Sequence, residues 1–136
     1  MSPKIFIDTN IIIDFLDQRP FDLDTTNLLF KLVEENDITG FVSETVITHA
    51  MYITGFEERI LRLLNIINIV CIETDIIKNA IKSNFKDKEH GILYYGALDK
   101  KIDFFITRNK KAFNKYSLQQ LPVLSPKEFL SKMKQK

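Results

Sequence analysis

The chain has 136 residues, 45% of them hydrophobic and 27% charged, with only 4 glycines and 4 prolines, which excludes collagen-like and linker-dominated proteins. No apolar run reaches the roughly 18 residues of a transmembrane helix, so we expect one soluble domain over residues 1–136. The net charge of +1 is uneven, with 5 basic and 12 acidic residues in 1–73 and 14 basic and 6 acidic in 74–136. This division suits a basic surface for polyanions beside an acidic pocket, unless the fold interleaves the two halves.

Two features of the sequence favour a cytoplasmic protein. The first four residues lead directly into a strand-like segment, without the apolar stretch of a signal peptide. The one cysteine, Cys71, cannot form an internal disulfide, which fits a reducing compartment. Because Cys71 lies in a predicted central strand, we expect it to be a small buried hydrophobic residue rather than a reactive thiol.

Apolar periodicity predicts strands and helices that alternate along the chain. The predicted strands are residues 4–8, 39–42, 69–72, 104–107 and 122–124. The predicted helices are residues 9–16, 24–35, 43–54, 57–67, 74–84, 88–101, 109–113 and a last helix that begins at 126. Ser43 can cap the third helix, and the Ser125-Pro126-Lys127-Glu128 sequence has the pattern of a capping box.

This alternation predicts an α/β fold, a three-layer α/β/α architecture with a mainly parallel central sheet. In such sheets, ligands bind beyond the carboxyl ends of the strands. That rule selects Asp8, Ser43 and residues 107–109 as candidate site residues.

Four blocks of sequence resemble the PIN domain family, in the family's order and over nearly the whole chain. They are IFIDTN at 5–10, FVS at 41–43, DKEHGILYYGA at 87–97 and IDFFITRNKK at 102–111. PIN domains are metal-dependent nucleases and include the VapC-type toxins of toxin–antitoxin pairs. The resemblance implies a metal-dependent endoribonuclease acting on RNA, with an antitoxin as partner and a homodimeric assembly.

PIN nucleases hold their cation with three or four acidic residues, and this chain departs from that pattern. Asp8 matches the first acid, but His49 and His90 fall where the second and third are expected, and the fourth position is Asn109. Glu89 directly precedes His90 and can assist. Glu44 lies one helical turn before His49, which would point its carboxylate elsewhere.

The resemblance therefore implies a metal site made of Asp8, His49, His90 and Asn109, with Asp8, Glu89 and His90 carrying the catalysis. Two imidazoles and a carboxylate suit Zn²⁺, Mn²⁺ or Fe²⁺, whereas Asp8, Glu89 and water suit Mg²⁺ or Mn²⁺. The remaining possibility is a site that has lost its metal, in which the histidines only fill polar space. Two divalent ions would be poorly neutralised by two carboxylates, so we expect at most one divalent metal per chain, Mg²⁺ or Mn²⁺, or Zn²⁺ because of the histidines.

Further residues are assigned supporting roles. Thr9, Asn10, Ser43 and Thr107 are expected to orient Asp8 and its ligands, since no general base lies beside them in the motifs. Basic side chains near the predicted site are expected to contact RNA phosphates, unless each is simply a solvated helix residue. The predicted RNA contacts are Lys88, Arg108, Lys110 and Lys111, within a wider basic group that also includes Lys82, Lys86 and Lys115.

Two other α/β families share part of this pattern. Haloacid-dehalogenase-like phosphatases also open with a strand that ends in Asp, but their second acid would fall on Asn10, and phosphoryl-receiver domains need further acids. Neither family accounts for the segment from Thr107 to Lys110.

Within the PIN family, the alternative to a nuclease is a catalytically degenerate PIN-like module that binds RNA or a protein partner.

Overall fold

Five strands form the central sheet of the protein. The computed structural model describes residues 2–134, so Met1, Gln135 and Lys136 of the predicted domain lie outside the described residues. The strands are β1 (Lys4–Ile7), β2 (Thr39–Ser43), β3 (Asn68–Val70), β4 (Phe104–Ile106) and β5 (Val123–Leu124). Their order is β3-β2-β1-β4-β5, and every neighbouring pair is parallel. The predicted α/β class with a parallel sheet is confirmed.

Eight helices connect these strands within residues 2–134. They are α1 (Thr9–Asp17), α2 (Leu23–Glu34), α3 (Glu44–Thr54), α4 (Glu57–Leu64), α5 (Thr74–Lys82), α6 (Lys88–Asp99), α7 (Lys110–Asn114) and α8 (Pro126–Lys134). The chain moves across the sheet in one direction from β1 to β3 and in the opposite direction from β3 to β5. Right-handed crossovers therefore place α1–α4 on one face of the sheet and α5–α7 on the other. The helix contacts agree, since α1 packs on α2 and α3 while α6 packs on α5 and α7.

The core lies on both sides of β1, the middle strand. Ile5, Phe6 and Ile7 are fully buried, as a strand covered on both faces requires. Phe6 stacks on Phe105 of the neighbouring β4 with ring centroids 5.2 Å apart. Burial of β1 fixes the position of the residue that follows it, Asp8.

Local capping signals predicted the starts of α3 and α8. The Ser43 hydroxyl accepts a hydrogen bond from the Val46 amide at 3.2 Å, as an N-cap residue does. At α8 the Glu128 amide donates to Ser125 Oγ at 3.1 Å, and the Ser125 amide donates to Glu128 Oε1 at 2.9 Å. This reciprocal pair is the predicted capping box.

The structure corrects the region around β3. The strand ends at Val70 and lies at the sheet edge, so Cys71 is exposed and is neither central nor buried. The reason is local: the Ile72 amide donates to the Glu44 carboxylate at 2.9 Å instead of continuing a strand ladder.

Three helices end two or three residues earlier than predicted. Helix α4 stops at Leu64 rather than 67, and α5 stops at Lys82 rather than 84. Helix α6 stops at Asp99, two residues before Lys101, whose left-handed φ of 55° a helix cannot continue through. No helix among residues 2–134 is both long enough and apolar enough to span a bilayer.

Candidate functional site

Asp8 lies at the carboxyl edge of the sheet, between two flanking strands. It directly follows β1, and its amide donates to the Ile106 carbonyl of β4 at 3.0 Å, which prolongs the strand pairing by one step. Ser43 ends β2 on one side, and Thr107 follows β4 on the other. The parallel sheet thus brings three residues from distant parts of the sequence to one edge.

The Asp8 carboxylate is held by two short hydrogen bonds. Oδ1 accepts from the Thr9 amide at 2.8 Å, which makes Asp8 the N-cap of α1, and Oδ2 accepts from the Thr107 hydroxyl at 2.7 Å. Thr107 is itself fixed, since its Oγ1 accepts from the Asn109 amide at 3.0 Å. Each oxygen of the Asp8 carboxylate therefore has a hydrogen-bond donor, and Thr107 supplies one of the two.

Burial dominates the electrostatics of Asp8. Its side chain is only 4% exposed, and this burial raises the pKa of the carboxyl above its ordinary value. The hydrogen bonds from Thr107 and Thr9 oppose the rise by favouring the charged form, and the charges of His90 and Arg108 do so more weakly. A cation placed against Asp8 would act in the same direction as these donors.

An open pocket of about 420 Å³ lies over Asp8 and is lined by six of the predicted site residues. Its polar lining is Asp8, Thr9, Asn10, Thr45, His49, Glu89 and His90. Both histidines come from helices on opposite sides of the sheet, α3 and α6, so only the folded chain brings them to one cavity. The expected grouping of Asp8, His49, Glu89 and His90 around one pocket is therefore what the fold produces.

Besides Thr107 and the basic residues, two further predicted residues do not line this pocket. Ser43 is fully buried, where its hydroxyl caps α3 and shares a 2.6 Å hydrogen bond with Thr45. Asn109 is exposed at the start of α7, and its backbone amide, rather than its side chain, contacts Thr107. Both residues support the site through the backbone and its caps.

His90 sits at the amino end of α6 in an unusual environment. Its Nδ1 is buried and has no hydrogen-bond partner among residues 2–134; the nearest carboxylate oxygen, Asp87 Oδ2, is 3.6 Å away. The imidazole packs against Phe113 with ring centroids 4.7 Å apart. Buried polar atoms in proteins normally have a hydrogen-bond partner, so this nitrogen is free to bind a ligand or an ion.

The pocket has donor chemistry for one divalent cation, although the donors do not converge. One aspartate, one glutamate and two imidazoles suit an ion such as Mn²⁺ or Zn²⁺, and His90 has an unsatisfied nitrogen. In the described part of the chain, however, no three His, Cys, Asp or Glu side chains already form a cluster that could hold a metal. A cation held by all four residues would require His49, Glu89 and His90 to move their side chains toward Asp8.

Glu44 is not a replacement for a missing acid. Its Oε1 and Oε2 accept from the Ile72 amide at 2.9 and 3.2 Å, which ties the carboxylate to the end of β3. It is not among the residues that line the Asp8 pocket.

Three of the predicted RNA-contacting side chains have partners within the fold. Arg108 makes a bidentate pair with Asp14, at 2.8 and 3.2 Å, and Lys110 pairs with Glu128 at 2.9 Å. Lys88 donates to the Ser83 carbonyl at 2.9 Å. Lys111 is exposed and lines a different cleft, on the far side of His90 from Asp8.

Two contributors were missed at the sequence level. Asp14 is a carboxylate only 1% exposed on α1, and its pair with Arg108 ties that helix to the turn after β4. A charge inside the apolar run of residues 11–16 was the available signal. Thr45, two residues after the Ser43 cap, has no comparable signal in the sequence.

Comparisons with known proteins give a family and a fold. A family model described as PIN domain matches residues 4–111. No curated protein matches the chain.

Several solved structures share the fold. VapBC2 from Rickettsia felis, bound to a DNA fragment from its promoter, superposes with a TM-score of 0.68 at 14% identity, over 90% of this chain and 98% of that one. A toxin–antitoxin complex from Klebsiella pneumoniae has a TM-score of 0.66 at 22% identity, over 90% and 97%. VapC20 from Mycobacterium tuberculosis, a sarcin–ricin loop cleaving toxin, has a TM-score of 0.58 at 10% identity, over 74% and 86%.

Proposed function

The chain belongs to the PIN domain family, and from this premise we propose that it is a metal-dependent endoribonuclease and the toxin of a toxin–antitoxin pair. The observation that carries the proposal is the fixed carboxylate of Asp8 at the floor of a pocket that also presents His49, Glu89 and His90. The fold neighbours lend support, since two are toxin–antitoxin complexes and one is a sarcin–ricin loop cleaving toxin. RNA is then the substrate and an antitoxin the protein partner, in the cytoplasm.

One divalent cation per chain, Mg²⁺, Mn²⁺ or Zn²⁺, would be held by Asp8 with His49, His90 and Glu89. Such an ion supplies Lewis-acid chemistry: it makes a water molecule a nucleophile at neutral pH and offsets charge on the attacked phosphate. Thr107 and the Thr9 amide hold the Asp8 carboxylate in one orientation. They also lower the energetic cost of keeping it ionised in a buried place. Thr9 and Asn10 line the pocket and can bind substrate oxygens.

A homodimer is part of this proposal. Large apolar side chains remain exposed on the consecutive helices α3 and α4, among them Tyr52, Ile53 and Leu61. Surfaces of this kind favour association with a second copy.

A second function is favoured by a specific observation. Three acids that PIN nucleases use are absent, and no three potential ligands cluster within residues 2–134. The alternative is therefore a catalytically degenerate PIN module that binds RNA or a protein partner without cleaving.

Cleavage of RNA by metal-stripped protein, given Mg²⁺, Mn²⁺ or Zn²⁺ separately, distinguishes the two. Structured and unstructured labelled RNAs are resolved on denaturing gels, with Asp8→Asn as the test and Asp37→Asn as an exposed carboxylate control. We expect cleavage with one of the cations and a loss of at least about 100-fold in Asp8→Asn, more than the 10–100-fold typical of an outer-sphere partner. If no cation restores cleavage, or if Asp8→Asn and Asp37→Asn cleave equally, the degenerate PIN module is the function that remains.

A further inference from the structure

A second cleft lies directly beside the Asp8 pocket. It has a volume of about 570 Å³ and is lined by Lys86, Asp87, His90, Lys111, Ala112, Lys115 and Tyr116. His90 lines both cavities, so the two are adjacent at this residue. A ligand long enough to cross His90 would occupy both at once.

The charge of this cleft is strongly positive. Three ammonium groups, those of Lys86, Lys111 and Lys115, face one carboxylate, that of Asp87. Asp87 is occupied in capping α6, where its Oδ1 accepts from the Glu89 amide at 3.0 Å. Within residues 2–134, none of the three lysines forms an ion pair, and all three are exposed.

This sets the three lysines apart from their basic neighbours. Lys110 is paired with Glu128 and Arg108 with Asp14, so contacting a phosphate would cost each of them an existing partner. The cleft lysines have no such partner to give up. An ammonium group on a flexible stem suits a phosphate as a point charge and needs no fixed geometry.

Two of the residues that line the cleft, Tyr116 and His90, pack against buried aromatic rings. Phe85 packs on Tyr116 with ring centroids 4.7 Å apart, and the His90 ring packs on Phe113 at the same separation. Lys115 Nζ lies 5.8 Å from the centre of the half-buried Tyr116 ring. This packing anchors the backbone segments that carry the lysines, while the exposed lysine side chains can adjust to a ligand.

We propose that Lys86, Lys111 and Lys115 form the binding site for the RNA backbone next to the Asp8 pocket. The inference rests on the proposed function, because it takes RNA as the ligand. Continuity through His90 favours an RNA strand over an acidic segment of a protein, since a strand held by its phosphates in the cleft can extend into the Asp8 pocket. The four RNA contacts predicted from the sequence then contribute one member, Lys111, and the wider basic group contributes Lys86 and Lys115.

The test measures binding without cleavage. A short fluorescein-labelled single-stranded RNA is titrated with protein in EDTA, by fluorescence anisotropy, at several salt concentrations between 50 and 200 mM. The test variant is Lys86→Gln/Lys111→Gln/Lys115→Gln. The control is Lys31→Gln/Lys127→Gln/Lys132→Gln, which removes the same charge from exposed lysines on α2 and α8.

We expect the test variant to bind at least about 10-fold more weakly at 100 mM salt and to lose about two units of the slope of log K against log salt, since each phosphate contact on a single strand contributes about 0.7. The control should change affinity by less than about 2-fold. Equal losses in the two variants, or no RNA binding by the wild-type protein, would overturn the inference. Binding and cleavage are tested separately with Asp8→Asn. A protein with this change that binds RNA but does not cleave it would show that the lysine site and the Asp8 chemistry can fail independently. The same titration is run with a fluorescein-labelled acidic peptide. If the test variant loses binding to the peptide but not to the RNA, the cleft belongs to a protein partner instead.

Discussion

Removal of one hydroxyl, in Thr107→Val, should destabilise the protein in a pH-dependent way. Thr107 is fully buried, and its hydroxyl donates to Asp8 at 2.7 Å while accepting from the Asn109 amide at 3.0 Å. Valine keeps the shape and leaves the buried carboxylate with one donor fewer. A hydrogen bond to a charged group contributes about 1.5–3 kcal/mol, and the bond to the exposed Asn109 about 0.5–1 kcal/mol, so we expect a loss of about 2–4 kcal/mol at neutral pH.

The pH dependence follows from the direction of the Asp8 pKa. Burial raises that pKa in the folded protein, so the stability linked to Asp8 is present below its unfolded value and is lost as the pH rises through the folded value. Without the Thr107 hydroxyl the pKa rises further, and the ionised form becomes more costly. The destabilisation by Thr107→Val should therefore be larger at pH 8 than at pH 5.

Urea unfolding at both pH values measures the effect, with Thr107→Ser as the matched control. Serine keeps the hydroxyl and loses one methyl group, which costs about 1 kcal/mol. For a chain of this size, each kcal/mol corresponds to roughly 3–4 °C in the melting temperature. A Thr107→Val protein as stable as Thr107→Ser, or one whose loss is greater at pH 5, would refute this reasoning.

Three further changes test other parts of the account. Arg108→Met should cost about 2–4 kcal/mol in urea unfolding, because it leaves the buried Asp14 carboxylate unpaired. The double variant Arg108→Met/Asp14→Leu should recover most of this loss. No recovery would show that breaking the Arg108–Asp14 pair is not the cause. Glu128→Gln should reduce the free energy of unfolding by less than about 1 kcal/mol at pH 7. The Ser125 amide and Lys110 lower the pKa of Glu128, so the stability that this carboxylate adds is lost as the pH falls through its pKa in the folded protein. A difference between Glu128→Gln and wild type that persists in acid would contradict this role of the carboxylate. Tyr94→Phe should cost about 1–3 kcal/mol in thermal unfolding, since the buried hydroxyl donates to one loop carbonyl at 2.7 Å and accepts from a loop amide at 2.8 Å; an unchanged melting temperature would mean that those bonds contribute nothing.

The sheet could be predicted because its signals are local. An apolar run that ends on a polar residue marks a buried parallel strand, and β1 with Asp8 is the clearest case. Caps such as Ser43 fix where a helix begins through one side chain and one amide. The edge position of β3 was not predictable in this way, because strand order depends on crossovers rather than on any one segment.

The pocket could be predicted in composition but not in detail. The resemblance supplied Asp8, His49 and His90, and topology then brought them to one cavity. Which basic residues are free was beyond the sequence, because it depends on partners far away in the chain. Arg108 is paired with Asp14, 94 positions earlier, whereas Lys86 has no ion pair within residues 2–134.

The most direct test of the central claim is a count of the cations that bind Asp8. Metal-stripped protein and its Asp8→Asn variant are titrated with Mn²⁺ by calorimetry, and unfolding is followed beside it. We predict one ion per wild-type chain, no binding by Asp8→Asn, and a higher melting temperature with Mn²⁺ only in the wild type. Two tightly bound ions, binding that survives in Asp8→Asn, or no binding by the wild-type protein would contradict a single cation anchored on Asp8.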